Sequence, residues 1–149
     1  MKFICDEMLG TLAKWLRILG YDTLYVKSME DDEIARIAKE EERILITRDK
    51  KLAPKYKKSI YLENNGLEKQ LKKIFNELNL EVNESKILTR CIICNEKIKE
   101  IDKEMVKGKV PEHVYKTHDK FFICPKCKKI YWMGSHWENM KKFIEEINA

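Results

Sequence analysis

Two pairs of cysteines constrain this chain more than any other feature. Cys91-Ile92-Ile93-Cys94 and Cys124-Pro125-Lys126-Cys127 are both C-x-x-C, with 30 positions from Cys94 to Cys124. A C-x-x-C segment turns tightly enough to set two sulfurs side by side. Two such turns brought together give the four-thiolate tetrahedron that Zn²⁺ adopts in structural sites. One pair alone would leave a thioredoxin-type redox couple or an iron–sulfur ligand set open; two regular pairs favour zinc. Four coordinated thiolates leave no vacant position, so this zinc holds structure and performs no chemistry. Its binding contributes on the order of 10 kcal/mol to folding a unit too small for a good core. Cys5 stands apart in an apolar run and reads as a small buried hydrophobe.

Paired cysteines point to metal rather than disulfides only in a reducing compartment. The sequence fits one: no stretch approaches the roughly 18 apolar residues of a membrane span, and the start, Met1-Lys2-Phe3-Ile4-Cys5-Asp6, lacks a signal-peptide core. A cytoplasmic location is expected. Charge is unevenly placed: 17 basic against 16 acidic side chains over residues 1–86, and 13 against 9 over residues 87–149. A weakly basic second half is compatible with nucleic acid without demanding it.

Before residue 81 the apolar period alternates between that of strands and that of helices. Lys2–Cys5 reads as a strand. Met8, Leu9, Leu12, Trp15, Leu16 and Leu19 line one side of a helix that Gly20 ends. Strands follow at Thr23–Val26, Arg43–Thr47 and Ser59–Leu62. A helix begins near Ser28-Met29-Glu30-Asp31, a helical turn covers Lys51–Lys55, and a helix runs from Leu67 to Leu78. That order predicts an α/β fold, a mostly parallel sheet with flanking helices. Polar residues Glu81–Lys86 mark a boundary, giving an α/β domain over 1–85 and a zinc ribbon over 86–149. Ser135-His136-Trp137-Glu138 reads as a capping box for a terminal helix. The apolar face of that helix, Trp137, Met140, Phe143, Ile144 and Ile147, must pack on the ribbon or on the first domain.

Three acids fall where a parallel sheet gathers them. Asp6 follows the first strand, Asp49 follows the third, and Asp31 lies where the second strand hands over to its helix. Open α/β sheets bind ligands beyond the carboxyl ends of their strands, where the winding reverses. Carboxylates gathered there need a counter-charge, and Mg²⁺ or Mn²⁺ supplies it through oxygen ligands. Such a centre suits hydrolysis of a phosphodiester. Glu7, Asp32 and Glu33 are near enough to be alternative ligands. Lys14 and Arg17, three apart on the helix side opposite the apolar face, and Arg48 beside Asp49 are candidates to hold phosphates. Read blandly, Asp31 starts a helix, Asp49 ends a strand and the bases are solvated.

The sequence resembles the mut-seven C-terminal RNase domain family. The resemblance is carried by Phe3-Ile4-Cys5-Asp6-Glu7-Met8-Leu9-Gly10, Leu12-Ala13-Lys14-Trp15-Leu16-Arg17 and Leu19-Gly20-Tyr21-Asp22-Thr23. It continues through Asp31-Asp32-Glu33-Ile34, Ile44-Leu45-Ile46-Thr47-Arg48-Asp49 and Arg90-Cys91-Ile92-Ile93-Cys94-Asn95. It ends with Cys124-Pro125-Lys126-Cys127 and Ile130-Tyr131-Trp132-Met133-Gly134-Ser135-His136-Trp137. What the resemblance implies is a PIN-like nuclease domain followed by a zinc ribbon, with Asp6, Asp31 and Asp49 as ligands of a catalytic Mg²⁺ or Mn²⁺ and single-stranded RNA as substrate. It also implies a fourth acid late in the domain, for which Glu63 and Glu68 are the candidates.

Lys126, Lys128 and Lys129 beside Tyr131, Trp132, His136 and Trp137 suit stacking on unpaired bases, or else pack the terminal helix. His113, His118 and His136 have no ligand-like spacing and read as surface or packing residues. The expected function is a metal-dependent endoribonuclease; a second copy of the chain and a ribosomal component are further partners the reading allows. The chief rival is a non-catalytic RNA- or ribosome-binding protein with a degenerate nuclease domain. A phospho-acceptor receiver domain needs more βα units than residues 1–80 supply, and an Asp-x-Asp phosphatase fails because Glu7 and Met8 follow Asp6.

Overall fold

A computed structural model describes residues 1–148. Its centre is a parallel sheet of four strands, β1 (Lys2–Cys5), β2 (Asp22–Tyr25), β3 (Ile44–Thr47) and β4 (Ser59–Tyr61), in the order β2-β1-β3-β4. The mostly parallel α/β architecture read from the sequence is the one observed. In the two central strands, Phe3, Ile4, Cys5, Leu45 and Ile46 are completely buried. Alternation along β1 sends Phe3 and Cys5 to one face and Ile4 to the other. The first face is covered by α1 (Gly10–Ile18) through Leu12, Ala13 and Leu16, and by α3 (Leu67–Glu77) through Leu71, Ile74 and Phe75. The other is covered by α2 (Asp31–Glu40) through Ile34 and Ala38, with Leu52 beside them.

β1 pairs with β2 on one side and β3 on the other. The chain thus leaves β1 in one direction and returns past it in the other. Helices on opposite faces follow, which makes the carboxyl ends of β1 and β3 the switch point of the sheet.

Local endings have identifiable causes. Gly20 adopts φ +96° after α1. Its N–H donates to Arg17 O at 3.0 Å, and Tyr21 N–H donates to Leu16 O at 2.9 Å, the paired bonds of a Schellman ending. Gly20 also lies against the linker into the second half: a Cβ there would stand 2.5 Å from Lys86 O. Before α1, Glu7–Leu9 form a 3-10 turn, which leaves Met8 64% exposed rather than on the buried stripe expected of it. The helix start expected at Ser28 is displaced. Ser28 takes φ 52°, and Glu30 precedes α2 without a side-chain cap.

The second half is a three-stranded antiparallel sheet, β5 (Lys99–Ile101), β6 (Phe121–Ile123) and β7 (Ile130–Tyr131). The connection from β5 to β6 contains a short helix, α4 (Glu112–Thr117), absent from the sequence reading. Val106, Val114 and Phe121 form a small core there. The terminal helix α5 (Ser135–Asn148) returns to the parallel sheet's helices. Ile144 and Ile147 join the core under α1 and α3, and Phe143 lies 4.6 Å from Trp15 between ring centres. Ser135 is the first helical residue, with Gly134 O accepting from Trp137 N–H at 2.9 Å. No helix among the described residues is long and apolar enough to cross a membrane.

Gly20→Ala combines a left-handed φ with a clash against main chain. We expect it to cost about 2 kcal/mol, read as a lower urea midpoint at unchanged slope. A wild-type midpoint would mean that α1 and the linker do not meet as described.

Candidate functional site

Asp6 directly follows β1, and Thr47 closes β3 beside it, so the register of the central strands sets the two side by side. The Thr47 hydroxyl, fully buried, donates to Asp6 Oδ2. The Thr47 hydroxyl oxygen in turn accepts from Asp49 N–H at 2.9 Å, which ties both acids to one side chain. Asp49 Oδ1 accepts from Lys51 N–H at 2.8 Å, a tight turn that fixes the carboxylate after β3. Asp31 is the first residue of α2, where the helix dipole favours negative charge.

Burial pushes the Asp6 carboxyl above its ordinary proton affinity. The Thr47 hydroxyl opposes that shift, and the charges of Asp49 and Asp31 add to it. Asp6 Oδ1 is buried and has no hydrogen-bond partner. A buried, unpartnered carboxylate oxygen on a side chain that feels the charges of two further acids fits the oxygen donors that a hard divalent cation takes. Among the described residues, the four cysteines are the group of three or more potential ligands with donor atoms within 4.8 Å of one another; Asp6, Asp31 and Asp49 are not so close.

The neighbouring acids divide. Asp32 pairs with Lys55 at 2.8 Å, and Glu33 lies 3.7 Å from Arg36. Glu68 pairs with Lys72 at 3.2 Å, whereas Glu63 is exposed past the end of β4. Arg48 lines a small cleft of about 180 Å³ with Met8, Thr11, Asn64 and Gln70, next to the carboxylates. Lys14 is exposed on α1. Arg17 is placed differently from expectation. It is buried, its Nε donates to Thr23 O at 2.9 Å, and its Nη1 donates to Ile92 O at 2.8 Å and Ile93 O at 3.2 Å. Its guanidinium therefore ties α1 and β2 to the first cysteine turn. The periodicity of α1 put Arg17 on the solvent side because it could not register a neighbour 75 positions away.

The cysteine turns are built alike. Asn95 N–H donates to Cys91 O and Lys128 N–H to Cys124 O, both at 2.9 Å, with Asn95 and Lys128 in left-handed conformations. Cys94 N–H points at Cys91 Sγ at 3.4 Å, and Cys127 N–H at Cys124 Sγ at 3.5 Å. Cys91 and Cys127 sulfurs lie 3.7 Å apart, close to the edge of about 3.8 Å that a tetrahedron with Zn–S near 2.3 Å requires. Burial raises the Cys91 thiol, but the Tyr131 hydroxyl at 3.0 Å and neighbouring N–H groups outweigh it, leaving it lowered to about 7. Cys94 is raised to about 12 by burial and by Cys127 and Cys91. Sulfurs that resist ionising together fit a soft divalent cation, and four of them fit zinc.

A family profile described as the Mut7-C RNAse domain matches residues 1–144. The chain belongs to the Mut7-C RNAse domain family. This Mut7-C chain is also 29% identical, over 153 aligned positions, to a human protein named exonuclease mut-7 homolog. The alignment covers 97% of this chain and 15% of the human protein. No solved structure matches the chain.

Two residues of this Mut7-C chain matter more than the sequence suggested. Thr47 organises Asp6 and Asp49, and Asn95 docks the first cysteine turn on the parallel sheet. Asn95 Oδ1 accepts from Thr23 N–H at 2.9 Å, and its Nδ2 donates to Asp22 Oδ1 at 2.6 Å. Position was the available signal: Thr47 lies two before Asp49, and Asn95 directly follows Cys94.

The raised Asp6 carboxyl fixes the sign of a pH dependence. The folded state holds that proton more tightly than the unfolded one, so Asp6 favours folding at low pH. That contribution is lost as pH rises through its folded value. Asp6→Asn removes the loss. In zinc-loaded protein free of other divalent ions, we expect Asp6→Asn to melt higher than wild type at pH 7, with the gap closing on acidification. A variant that melts lower at pH 7 would contradict the buried, charge-crowded carboxylate.

Proposed function

We propose that this chain is a divalent-metal-dependent endoribonuclease. Residues 1–85 form a PIN-like nuclease domain, residues 86–149 a zinc ribbon that aids substrate binding, and the enzyme acts in the cytoplasm. The observation that carries the reading is Asp6, which has an unpartnered buried oxygen and a proton affinity raised by burial and by the charges of Asp49 and Asp31, at the sheet's switch point. The family's description as an RNase domain supplies the substrate class.

Asp6, Asp49 and Asp31 would hold Mg²⁺ or Mn²⁺, with Glu63 as a further acid on the same edge. When bound, such a cation supplies positive charge to the scissile phosphate and lowers the cost of attack by water. The protein's own part is positioning. Thr47 holds Asp6 and Asp49 in one orientation, and Lys51 N–H keeps Asp49 from swinging away. Arg48 at the adjoining cleft and Lys14 on α1 offer positive charge to neighbouring phosphates. The four cysteines hold zinc as a structural ion. Exposed Lys126, Lys128 and Lys129, with Lys129 Nζ 5.7 Å from the Tyr131 ring centre, give the ribbon a cationic, aromatic surface for unpaired RNA.

One observation favours a second reading, RNA binding without cleavage: among the described residues the cysteines form a close group of potential metal ligands and the three carboxylates do not. Cutting of labelled single-stranded RNA with Mg²⁺ or Mn²⁺ separates the two. Wild type should cut, and the Asp6→Asn/Asp49→Asn double variant should be slower by at least about 100-fold, the scale on which even supporting residues of metal sites act. A circular RNA distinguishes internal cutting from the end-directed action in the human relative's name. RNA binding shared by both proteins, with no cutting by either, would retire the catalytic assignment.

A further inference from the structure

At the opposite end of the parallel sheet, four basic side chains converge on one cleft. It measures about 550 Å³, and its walls include Lys2, Lys86, Arg90 and Lys97, with Asp22 among them. Lys2 and Asp22 open β1 and β2. The cleft therefore lies at the amino-terminal edge of the sheet, roughly 13 Å along β1 from Asp6 at 3.3 Å per residue.

These charges form no close ion pair within the chain. Among the described residues, none of the four bases has a carboxylate within 4.0 Å. Asp22, the one acid in the wall, is already engaged by Arg43 Nη1 at 2.8 Å and by Asn95 Nδ2 at 2.6 Å. Lys2, Lys86 and Lys97 sit on three separate segments, so the crowding is a product of the fold. Asp22, on which the charge of Arg90 also acts, is one acid against four bases, and the surplus of like charge costs energy that an anion would recover.

The walls are fixed as well as charged. Arg90 Nη1 donates to Asn95 O at 2.8 Å, and residue 90 forms an isolated antiparallel bridge with Lys97. The main chain of Lys86 is pressed against Gly20. Arg90 Nε is buried and has no hydrogen-bond partner. A buried donor of a charged group is costly to leave unpaired, and this one belongs to a side chain whose other arm is anchored.

We propose that this cleft binds phosphate groups of the RNA chain, holding substrate at the junction of the two halves and away from the carboxylate centre. The proposal rests on the ribonuclease reading and extends it to a second contact. A row of point charges from lysines beside a planar arginine suits a repeating polyanion better than a single carboxylate. An RNA strand spanning both ends of the sheet would be gripped where no cleavage occurs. Affinity for long RNA would then depend on residues that have no effect on the cutting of short RNA.

The test uses the zinc-loaded full chain and a Lys2→Gln/Lys86→Gln/Lys97→Gln variant, with Arg90 kept because it supports Asn95. Affinity for a labelled single-stranded RNA is measured across a salt series without Mg²⁺ or Mn²⁺, and trinucleotide cleavage is measured with Mn²⁺. Three lost phosphate contacts should flatten the slope of log K against log salt by about 2 and weaken low-salt binding by at least about tenfold. Trinucleotide cleavage should stay at the wild-type rate. Wild type that binds and cuts RNA, with a variant of equal slope and affinity, overturns the cleft alone. A variant that loses inorganic tripolyphosphate but keeps RNA also overturns it, in favour of a free polyphosphate site. Wild type that binds no RNA overturns the ribonuclease reading and this proposal with it.

Discussion

The Asn95 side chain closes the free edge of β2, and the relation between the two halves of the molecule depends on it. β2 pairs with β1 on one side only, which leaves outward N–H groups that would otherwise invite another strand. Asn95 accepts from one of them, Thr23 N–H, and returns a hydrogen bond to Asp22. It can do so because it occupies the left-handed position that ends the first cysteine turn, a conformation asparagine tolerates well. Arg17 completes the attachment by donating to the carbonyls of Ile92 and Ile93 within that turn. A loop that a metal would rigidify is thereby joined to the sheet that carries the carboxylates. Loss of metal from the cysteines should therefore be felt at α1 and β2 as well as in the ribbon.

Arg43 plays the corresponding part inside the sheet. Nearly buried, it donates to Phe3 O at 3.0 Å and to the Asp22 carboxylate at 2.8 Å, while its Nε pairs with Glu41. Breaking a buried charged pair by removing one partner is strongly destabilising. The amino-terminal ends of β1 and β2 are thus pinned. Acids can gather at the carboxyl ends of the strands, since burial of Asp6 and crowding by Asp49 and Asp31 are tolerated in a frame stabilised elsewhere.

Much of the first half was legible because its pattern is local. β1 falls on Lys2–Cys5 as read, and the other strands differ by a residue or two at their ends. Gly20 as a helix stop and the two cysteine turns are equally local, set by φ and by spacing. Other features depend on distant partners. The burial of Arg17 joins it to Ile92, 75 positions away, the docking of Asn95 spans 72 positions, and α5 returns to α1 and α3 from the far end of the chain. Periodicity could show that α5 has an apolar face without showing what covers it. In the candidate site, the acids were legible from their places after strands. Thr47 was not, because a threonine ending a buried strand looks like any β-branched strand residue until its hydroxyl is seen between two carboxylates.

The two metal sites proposed for this molecule are of opposite character. Four soft sulfurs within 4.8 Å of one another form a closed set. Three hard carboxylates, Asp6, Asp31 and Asp49, make up the other proposed set. The most direct test of the second site is Mn²⁺ binding to the zinc-loaded protein, followed by electron paramagnetic resonance, in wild type and Asp6→Asn. The expected result is binding by wild type that weakens by at least about tenfold in the variant, with zinc content unchanged. Equal Mn²⁺ affinity in the two proteins would contradict a cation site built on Asp6.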